Sequence, residues 1–272
     1  MKYYVYNPLT RNQTGKEAIK KLNKNDIYDC TNKNEMKELE KLLQKDDIIY
    51  VIGGDGTIHY LINNYNFLFK HKILFYKNGS GNDFHRSLKD SNAYYYTINN
   101  KYSFINSFGL GFDALVCKKV NQEKNKTKLS YLKQCYLSLK EYQPINIDIH
   151  YHNKWHHYKN VWLCSLQNGK YFGGGINIAR NADVANEKID LCIGHNLSTL
   201  KVLILLLFVK LGLTHLFSNY FFTVKVSDLI IKNQDSLLCQ FDGDTFTINN
   251  DLEITNCQKI KINKVNSLEN ND

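Results

Sequence analysis

Five consecutive residues, Gly53-Gly54-Asp55-Gly56-Thr57, carry the densest chemistry in the chain. They follow the apolar run Ile48-Ile49-Tyr50-Val51-Ile52 and lead straight into Ile58-His59-Tyr60-Leu61-Ile62. The pattern is a strand, a glycine turn holding one acid, and a helix start. Glycines let the backbone take positive φ and approach a ligand closely. Unpaired N–H groups at a helix N-terminus favour a phosphate anion. An acid inside such a loop repels phosphate unless a cation lies between them, so Asp55 is expected to face a magnesium ion or the hydroxyl being phosphorylated. The structural alternative is a tight turn in which Asp55 caps the helix.

A second cluster, Gly79-Ser80-Gly81-Asn82-Asp83-Phe84-His85-Arg86, follows the strand-like Lys72 to Tyr76. Alternate glycines permit another backbone cradle, Asn82 can bond a ligand or the loop, and Asp83 sits three residues from Arg86 for a local ion pair. Both loops then lie at carboxyl ends of adjacent strands, on the sheet edge where doubly wound folds bind ligands.

The elements that must hold these loops read as alternating strands and helices: Lys2 to Tyr6, a helix from Thr14 to Leu22, Asp26 to Cys30, a helix from Asn34 to Leu43, Ile48 to Ile52, a helix to about Asn64, then Lys72 to Tyr76. That alternation predicts a Rossmann-like, doubly wound parallel sheet. From Tyr94 the pattern becomes strand-rich: Tyr94 to Ile98, Ser103 to Phe108, Ile145 to Tyr151, Trp155 to Gln167, Ile189 to Ile193, Val224 to Ile231 and Leu237 to Phe241, with helices at Leu129 to Glu141 and Leu200 to about Leu216. The expected fold class is therefore α/β plus β, with a β-sandwich-like second domain. Boundaries are placed at 1–98, 99–262 and a polar, frayed tail at 263–272.

Composition narrows the partners. The chain of 272 residues is long enough for two modest cores, and its seven scattered cysteines lack metal-ligand spacing. Reduced thiols and a cytoplasmic location follow. A net charge of +9 ranks partners weakly, and the chain has no arginine-rich arm or aromatic-basic RNA motif, so nucleic acid is not expected. The apolar stretch from Val202 to Val209 is too short for a membrane span of about twenty residues; it reads as a buried helix, or as one lying in the interface with Lys210 snorkelling. His150, His152, His156 and His157 read as an exposed hairpin without the partners of a metal site.

Taken together, Asn7-Pro8, Gly53 to Thr57, Gly79 to Phe84, Gly109-Leu110-Gly111-Phe112-Asp113, Asn168-Gly169-Lys170-Tyr171-Phe172-Gly173-Gly174-Gly175 and Asp242-Gly243 resemble the family of soluble diacylglycerol kinases, sphingosine kinases and bacterial lipid kinases, over about residues 3 to 262. The resemblance implies an ATP-binding diacylglycerol kinase catalytic domain, a β-rich lipid-binding domain, and transfer of the γ-phosphate of ATP to a lipid hydroxyl, diacylglycerol first among candidates. It assigns Asn7, Gly54, Gly56, Thr57, Gly79 and Ser80 to ATP, Lys128 to the triphosphate, Asp55 to the reaction centre with a catalytic Mg²⁺, and Asp113 to the acceptor headgroup. Asp113 as a turn-stabilising acid and Lys128 as a solvated helix-start lysine are the structural alternatives. Asp244 stands where the family has a glutamate, one methylene longer, and is carried over as the second catalytic acid. The Asn-Pro segment continues as Leu9-Thr10-Arg11-Asn12, without the family's glycine. Ala185-Asn186-Glu187 replaces the Asp-Asp-Gly loop that holds a structural Mg²⁺ in some members.

An ordinary aspartate, of pKa about 3.9, suits orienting a hydroxyl or holding hydrated Mg²⁺; acting as a base requires a raised value. The implied partner is a lipid at a membrane surface, met peripherally, with a homodimer left open. The rival readings are an NAD kinase-like nucleotide kinase and a non-catalytic lipid- or nucleotide-binding relative.

Overall fold

The computed structural model describes residues 1–9, 14–20, 22, 26–79, 82–89, 92–123, 128–211, 216, 218–232 and 236–268. Four short apolar segments, β1 (Lys2–Tyr6), β2 (Ile27–Asp29), β3 (Ile48–Gly53) and β4 (Lys72–Lys77), lie parallel in the order β2-β1-β3-β4. Side chains alternate between the faces of the sheet. Val5, Ile49, Val51, Ile73 and Phe75 enter the larger core with Ile58, Leu61 and Ile62 of α3 (Asp55–Asn64) and Met36 and Leu39 of α2 (Lys33–Leu42). Tyr4, Tyr50 and Ile52 point to the opposite face, where the Tyr4 and Tyr50 rings stack at 4.8 Å and Ala18 of α1 (Thr14–Ala18) packs. A sheet covered on both faces accounts for the near-continuous apolar run of β3.

The second half is a sandwich of two antiparallel layers. One layer runs β14 (Asp244–Ile248), β13 (Leu237–Phe241), β7 (Ser107–Gly111), β9 (Lys154–Gln167), β10 (Ile189–His195) and β11 (Phe221–Val226). The other runs β9, β8 (Ile145–Tyr151), β12 (Leu229–Lys232), β15 (Leu252–Val265), β5 (Asn92–Ile98) and β6 (Tyr102–Phe104). Long β9 serves both layers: its first half pairs with β8 and its second half lies between β7 and β10. Tyr96, Phe104, Phe108, Leu166, Leu191, Ile231 and Phe241, all fully buried, fill the space between them. Outside the first layer, α5 (Phe112–Gln122), α6 (Lys128–Glu141) and α7 (Thr199–Leu211) cover Trp162, Cys192 and Phe221 in a third core.

Several elements differ from the sequence reading. Residues 112–122, to which the sequence reading assigned no element and in which Asp113 had a turn-stabilising role as its alternative, form α5, which starts where Gly111 takes φ +97°. Asp83–Ser87 is a short helix, α4. The strand expected from Val224 to Ile231 divides into β11 and β12, and that from Ser103 to Phe108 into β6 and β7. Strands β14 and β15 were not anticipated, although Leu252, Ile254, Ile260 and Ile262, all buried, keep the alternate spacing of a strand among polar residues. The first helix ends at Ala18, and α7 ends at Leu211, the expected continuation through 212–215 lying outside the described residues.

The tail is corrected too. Asn263, Lys264 and Val265 pair in parallel with Leu74, Phe75 and Tyr76, so the end of β15 forms the fifth strand of the parallel sheet. Residues 92–98, assigned from sequence to the first unit, pair with β15 in the antiparallel system. Ending the chain at Lys261 is expected to lower the unfolding free energy by at least about 2–5 kcal/mol, the usual cost of losing one fully buried isoleucine such as Ile262. Urea denaturation reads this directly; an unchanged midpoint would mean that residues 262–268 are dispensable to the sheet.

Candidate active site

The two glycine turns meet backbone to backbone. A Cβ added at Gly54 would lie 2.9 Å from the Gly79 Cα, and one added at Gly79 would lie 2.5 Å from the Gly54 Cα. Both turns end adjacent parallel strands, as the sequence implied. Thr57 folds over Gly53, whose added Cβ would be 2.4 Å from the Thr57 hydroxyl oxygen, and that oxygen accepts a hydrogen bond from Asn7 Nδ2 at 3.3 Å. Asn7 Oδ1 in turn accepts the Leu9 N–H at 2.9 Å. Asn7 and Thr57 therefore brace the end of β1 against α3. Gly56 faces open space in the first turn of α3, and no side chain caps that helix. Ser80, Gly81 and Thr10-Arg11-Asn12 lie outside the described residues; Lys128 is the first residue of α6.

Asp55 does cap a helix, but not its own. Its Oδ2 accepts the Asp83 N–H at 2.5 Å, at the start of α4, while its Oδ1 is buried without a hydrogen-bond partner. Burial pushes the Asp55 carboxyl up to about 7, helped by the Asp83 and Asp242 carboxylates, and the N–H groups of Asp83 and Phe84 only partly counter it. Asp83 reaches the second half of the chain: its Oδ2 accepts the Gly174 N–H at 2.7 Å. Gly173, Gly174 and Gly175 take φ of +58°, +87° and +110°, a path that side chains rarely allow and that brings this N–H inward. The same loop rests on α4 through Lys170 N–H donating to Ser87 Oγ and the Arg86 guanidinium over the Tyr171 ring.

A third carboxylate joins the halves. Asp242 and Gly243, at φ +48° and +100°, form the two-residue turn between β13 and β14. Asp242 Oδ1 accepts the Asn106 and Ser107 N–H groups, each at 2.8 Å; Oδ2 accepts the Ile105 N–H at 2.7 Å and faces His59 Nδ1 at 3.1 Å. His59 Nε2 lies 3.5 Å from Asp244 Oδ2. Burial opposes charge on His59, but its bonds to Asp242 and Asp244 outweigh burial and raise it to about 9. The Asp244 side chain is 66% exposed and lines a hollow of about 290 Å³ with His59, separate from the cleft that holds Asp55.

That cleft, of about 360 Å³, is lined by Asp55, Asp83, Ser107, Asp113, Phe172 and Gln240 among others. Asp113 sits in the first turn of α5, its carboxylate so close to Gly109 that an added Cβ there would lie 2.1 Å from Oδ2. Gln240 Nε2 donates to Oδ2 at 3.4 Å, and Oδ1 is buried without a hydrogen-bond partner. Burial raises this carboxyl also to about 7, against the Ala114 N–H and Gln240. Behind Asp113 lies an apolar hollow of about 80 Å³, lined by Trp162, Val202, Leu205 and Phe221 and sharing Asp113 and Phe172 with the cleft. The structure thus brings Asp55 and Asp113 to one cleft and leaves Asp244 beside it.

Sequence reasoning missed His59, the cleft role of Asp83 and the hub role of Asp242. The available signal for Asp242 was the Asp-Gly pair between two apolar runs, a hairpin mark. The His150 to His157 region is the β8–β9 hairpin, turning at His152 and Asn153, with His157 bonded to Asp148 at 2.6 Å.

Comparison with known proteins agrees with this architecture. The family model for the diacylglycerol kinase catalytic domain matches residues 4–101, and that for the YegS C-terminal NAD kinase beta sandwich-like domain matches residues 106–252. A Bacillus subtilis (strain 168) protein named "Putative lipid kinase YtlR" is 23% identical over 234 residues, covering 72% of this chain and 73% of that one. Two solved structures from Bacillus anthracis str. Sterne share the fold. One, of a "putative diacylglycerol kinase", has a TM-score of 0.74 at 17% identity over 96% of each chain. The other, of a diacylglycerol kinase, has a TM-score of 0.63 at 16% identity over 93% of each chain.

The His59 arrangement carries a pH signature. Its folded pKa is raised from 6.5 to about 9, so its contribution to stability is complete below pH 6.5 and is lost as pH rises through about 9. Urea unfolding is expected to show wild-type stability falling across that window by up to about 3 kcal/mol relative to His59→Gln. Parallel pH curves for the two proteins would contradict a charged His59.

Proposed function

The chain belongs to the family that joins a diacylglycerol kinase catalytic domain to a YegS C-terminal NAD kinase beta sandwich-like domain, and we propose that it transfers the γ-phosphate of ATP to the hydroxyl of a lipid alcohol, diacylglycerol giving phosphatidic acid being the first candidate. One observation carries the lipid reading: the carboxylate of Asp113 lies where the polar cleft containing Asp55 meets an apolar hollow. An acceptor with a polar hydroxyl and a greasy body fits such a junction.

In this reading the nucleotide lies along the glycine-turn edge. Gly54 and Gly79 keep the backbone low, Gly56 leaves the first turn of α3 open to phosphate, and the Asn7–Thr57 bond fixes the turn they flank. This reading also assigns Ser80 and Lys128 to the phosphates, on the resemblance of their motifs to the family pattern. The acceptor hydroxyl lies between Asp55 and Asp113, each of which has a buried oxygen without a hydrogen-bond partner. With its carboxyl raised to about 7, Asp55 is ionised in roughly half of the molecules at neutral pH and is matched to accepting the hydroxyl proton as the P–O bond forms. Gln240 steadies Asp113, and Asp83 fixes the Gly174 loop over the cleft. Asp244 enters through His59, whose charge it shares with Asp242.

The described residues contain no cluster of three side chains able to hold a metal by themselves. Magnesium commonly binds through one or two carboxylates plus substrate phosphates, and the unpartnered oxygen of Asp55 suits that mode. Asp55 is the residue that would hold the ion, which when bound neutralises charge on the phosphates.

The NAD kinase-like rival is favoured by the sandwich family's description, but a polar nucleotide acceptor leaves the apolar hollow without a purpose. Mass spectrometry of total lipids before and after incubation with labelled ATP, with NAD assayed in parallel, separates the readings. A phosphorylated lipid is expected; phosphorylated NAD alone would overturn the proposal.

Asp55→Asn retains an oxygen to accept the Asp83 N–H and is expected to lower phosphoryl transfer at least about 10²-fold in a folded protein. For the wild type, kcat/KM is expected to rise with pH through about 7 and then level where the metal-free carboxylate is the active form, whereas a cation held by Asp55 would move that rise to lower pH. Near-normal turnover by the variant would remove Asp55 from the chemistry.

A further inference from the structure

Helix α7 is apolar on both sides, and the two sides meet different surroundings. Val202, Leu205 and Val209 are buried in the core beneath it and line the apolar hollow that leads to Asp113. Leu200, Leu203, Ile204 and Leu207, spaced i, i+3, i+4, i+7, form a stripe on the outside, exposed by 67%, 41%, 39% and 54%. Monomeric proteins rarely leave such a stripe of large aliphatic side chains in water unless something covers it.

Three observations say what covers it. First, the stripe is continuous with the hollow: Leu206 is 36% exposed on the surface of α7 and also lines the hollow. Second, residues 199–211 of α7 include Lys201 and Lys210 and no aspartate or glutamate, in a chain of net charge +9; Lys225 is already paired with Asp190 at 2.8 Å. Lys201 Nζ bonds the Tyr220 hydroxyl at 2.6 Å, placing a basic group and an amphipathic ring together near the start of the helix. The helix itself therefore offers an anionic surface attraction and no carboxylate of its own. Third, α7 has 13 residues, about 20 Å of helix, too short to cross a hydrocarbon core of about 30 Å. Among the described residues no helix is long and apolar enough to span a membrane.

We propose that the outer face of α7 lies in the surface of an anionic lipid bilayer, and that the lipid acceptor passes from the bilayer beside Leu206 into the hollow behind Asp113. This deepens the kinase reading above and rests on it for the identity of what enters; the docking surface stands on the stripe and its charge. The helix would sit parallel to the membrane, its leucines among the upper acyl chains and Lys201 at the headgroups. Leu203 and Leu207 touch neither the hollow nor the cleft, so altering them leaves the chemistry in place.

The test uses the full chain and vesicles of equimolar phosphatidylcholine and phosphatidylglycerol in a co-sedimentation assay. Wild type is expected to bind, and the double variant Leu203→Glu, Leu207→Glu to bind at least about tenfold more weakly with unchanged circular dichroism, because charge has replaced the inserting face. Leu42→Glu, which alters an exposed leucine of α2, serves as the control and is expected to bind as wild type. Turnover of long-chain diacylglycerol in the vesicles is expected to fall with binding, while turnover of a dispersed short-chain diacylglycerol stays within about twofold. Equal vesicle binding by wild type and double variant would overturn the proposal. So would a wild type that ignores vesicles but self-associates through this stripe, giving a monomeric variant, since the occupant is then a second copy of the chain. Loss of binding in the variant, with no lipid phosphorylated by any form, would sustain the docking surface and defeat only the kinase reading.

Discussion

The carboxylate of Asp242 holds the two halves of this protein in register. A buried carboxylate is tolerated when its charge is met, and this one is met by three successive N–H groups from residues 105–107 and by the ring of His59. The N–H donors enter β7, which leads directly to Asp113; the histidine lies one turn of α3 beyond Asp55. One acid at a hairpin turn therefore fixes how far apart the two cleft carboxylates sit. Asp83 makes the same kind of connection on the other wall, bonding a loop of the sandwich from the helix that Asp55 caps.

The cleft chemistry follows from how these acids are partnered. Asp242 spends both oxygens on donors and serves as structure. Asp55 and Asp113 each keep one buried oxygen without a donor, and burial then favours the neutral form of each. Sequence alone pointed to an ordinary, ionised aspartate that orients a hydroxyl; burial moves Asp55 towards the range where proton acceptance is efficient. That oxygen can hold a metal ion or accept a proton, but not both at once, since a bound cation would keep the carboxylate ionised and engage its lone pair.

Features legible in the sequence were those written locally. The Gly53 to Thr57 turn, its strand and its helix needed only a run of apolar residues and three glycines, and the meeting of Gly54 with Gly79 followed from parallel neighbours. The sandwich was readable from repeated short apolar segments. Helix α5 was not, since Gly109 and Gly111 before it look like a loop; the first leaves room for the Asp113 carboxylate and the second takes a positive φ. His59 gave no sign of its charge, because both acids that create it lie more than 180 residues along the chain. Likewise Asn263 to Val265 read as polar tail, because the strand that receives them is β4.

That last pairing has a bearing on how the protein is made. The parallel sheet contains the first strands to be synthesised, yet its outer edge at β4 is completed only by residues 262–265. While translation proceeds, the nascent Rossmann-like layer presents an open row of backbone donors and acceptors beside β4, the kind of edge that recruits wrong partners. The last strand thus serves as the cover of that edge, and one continuous strand unites the parallel sheet with the antiparallel layer.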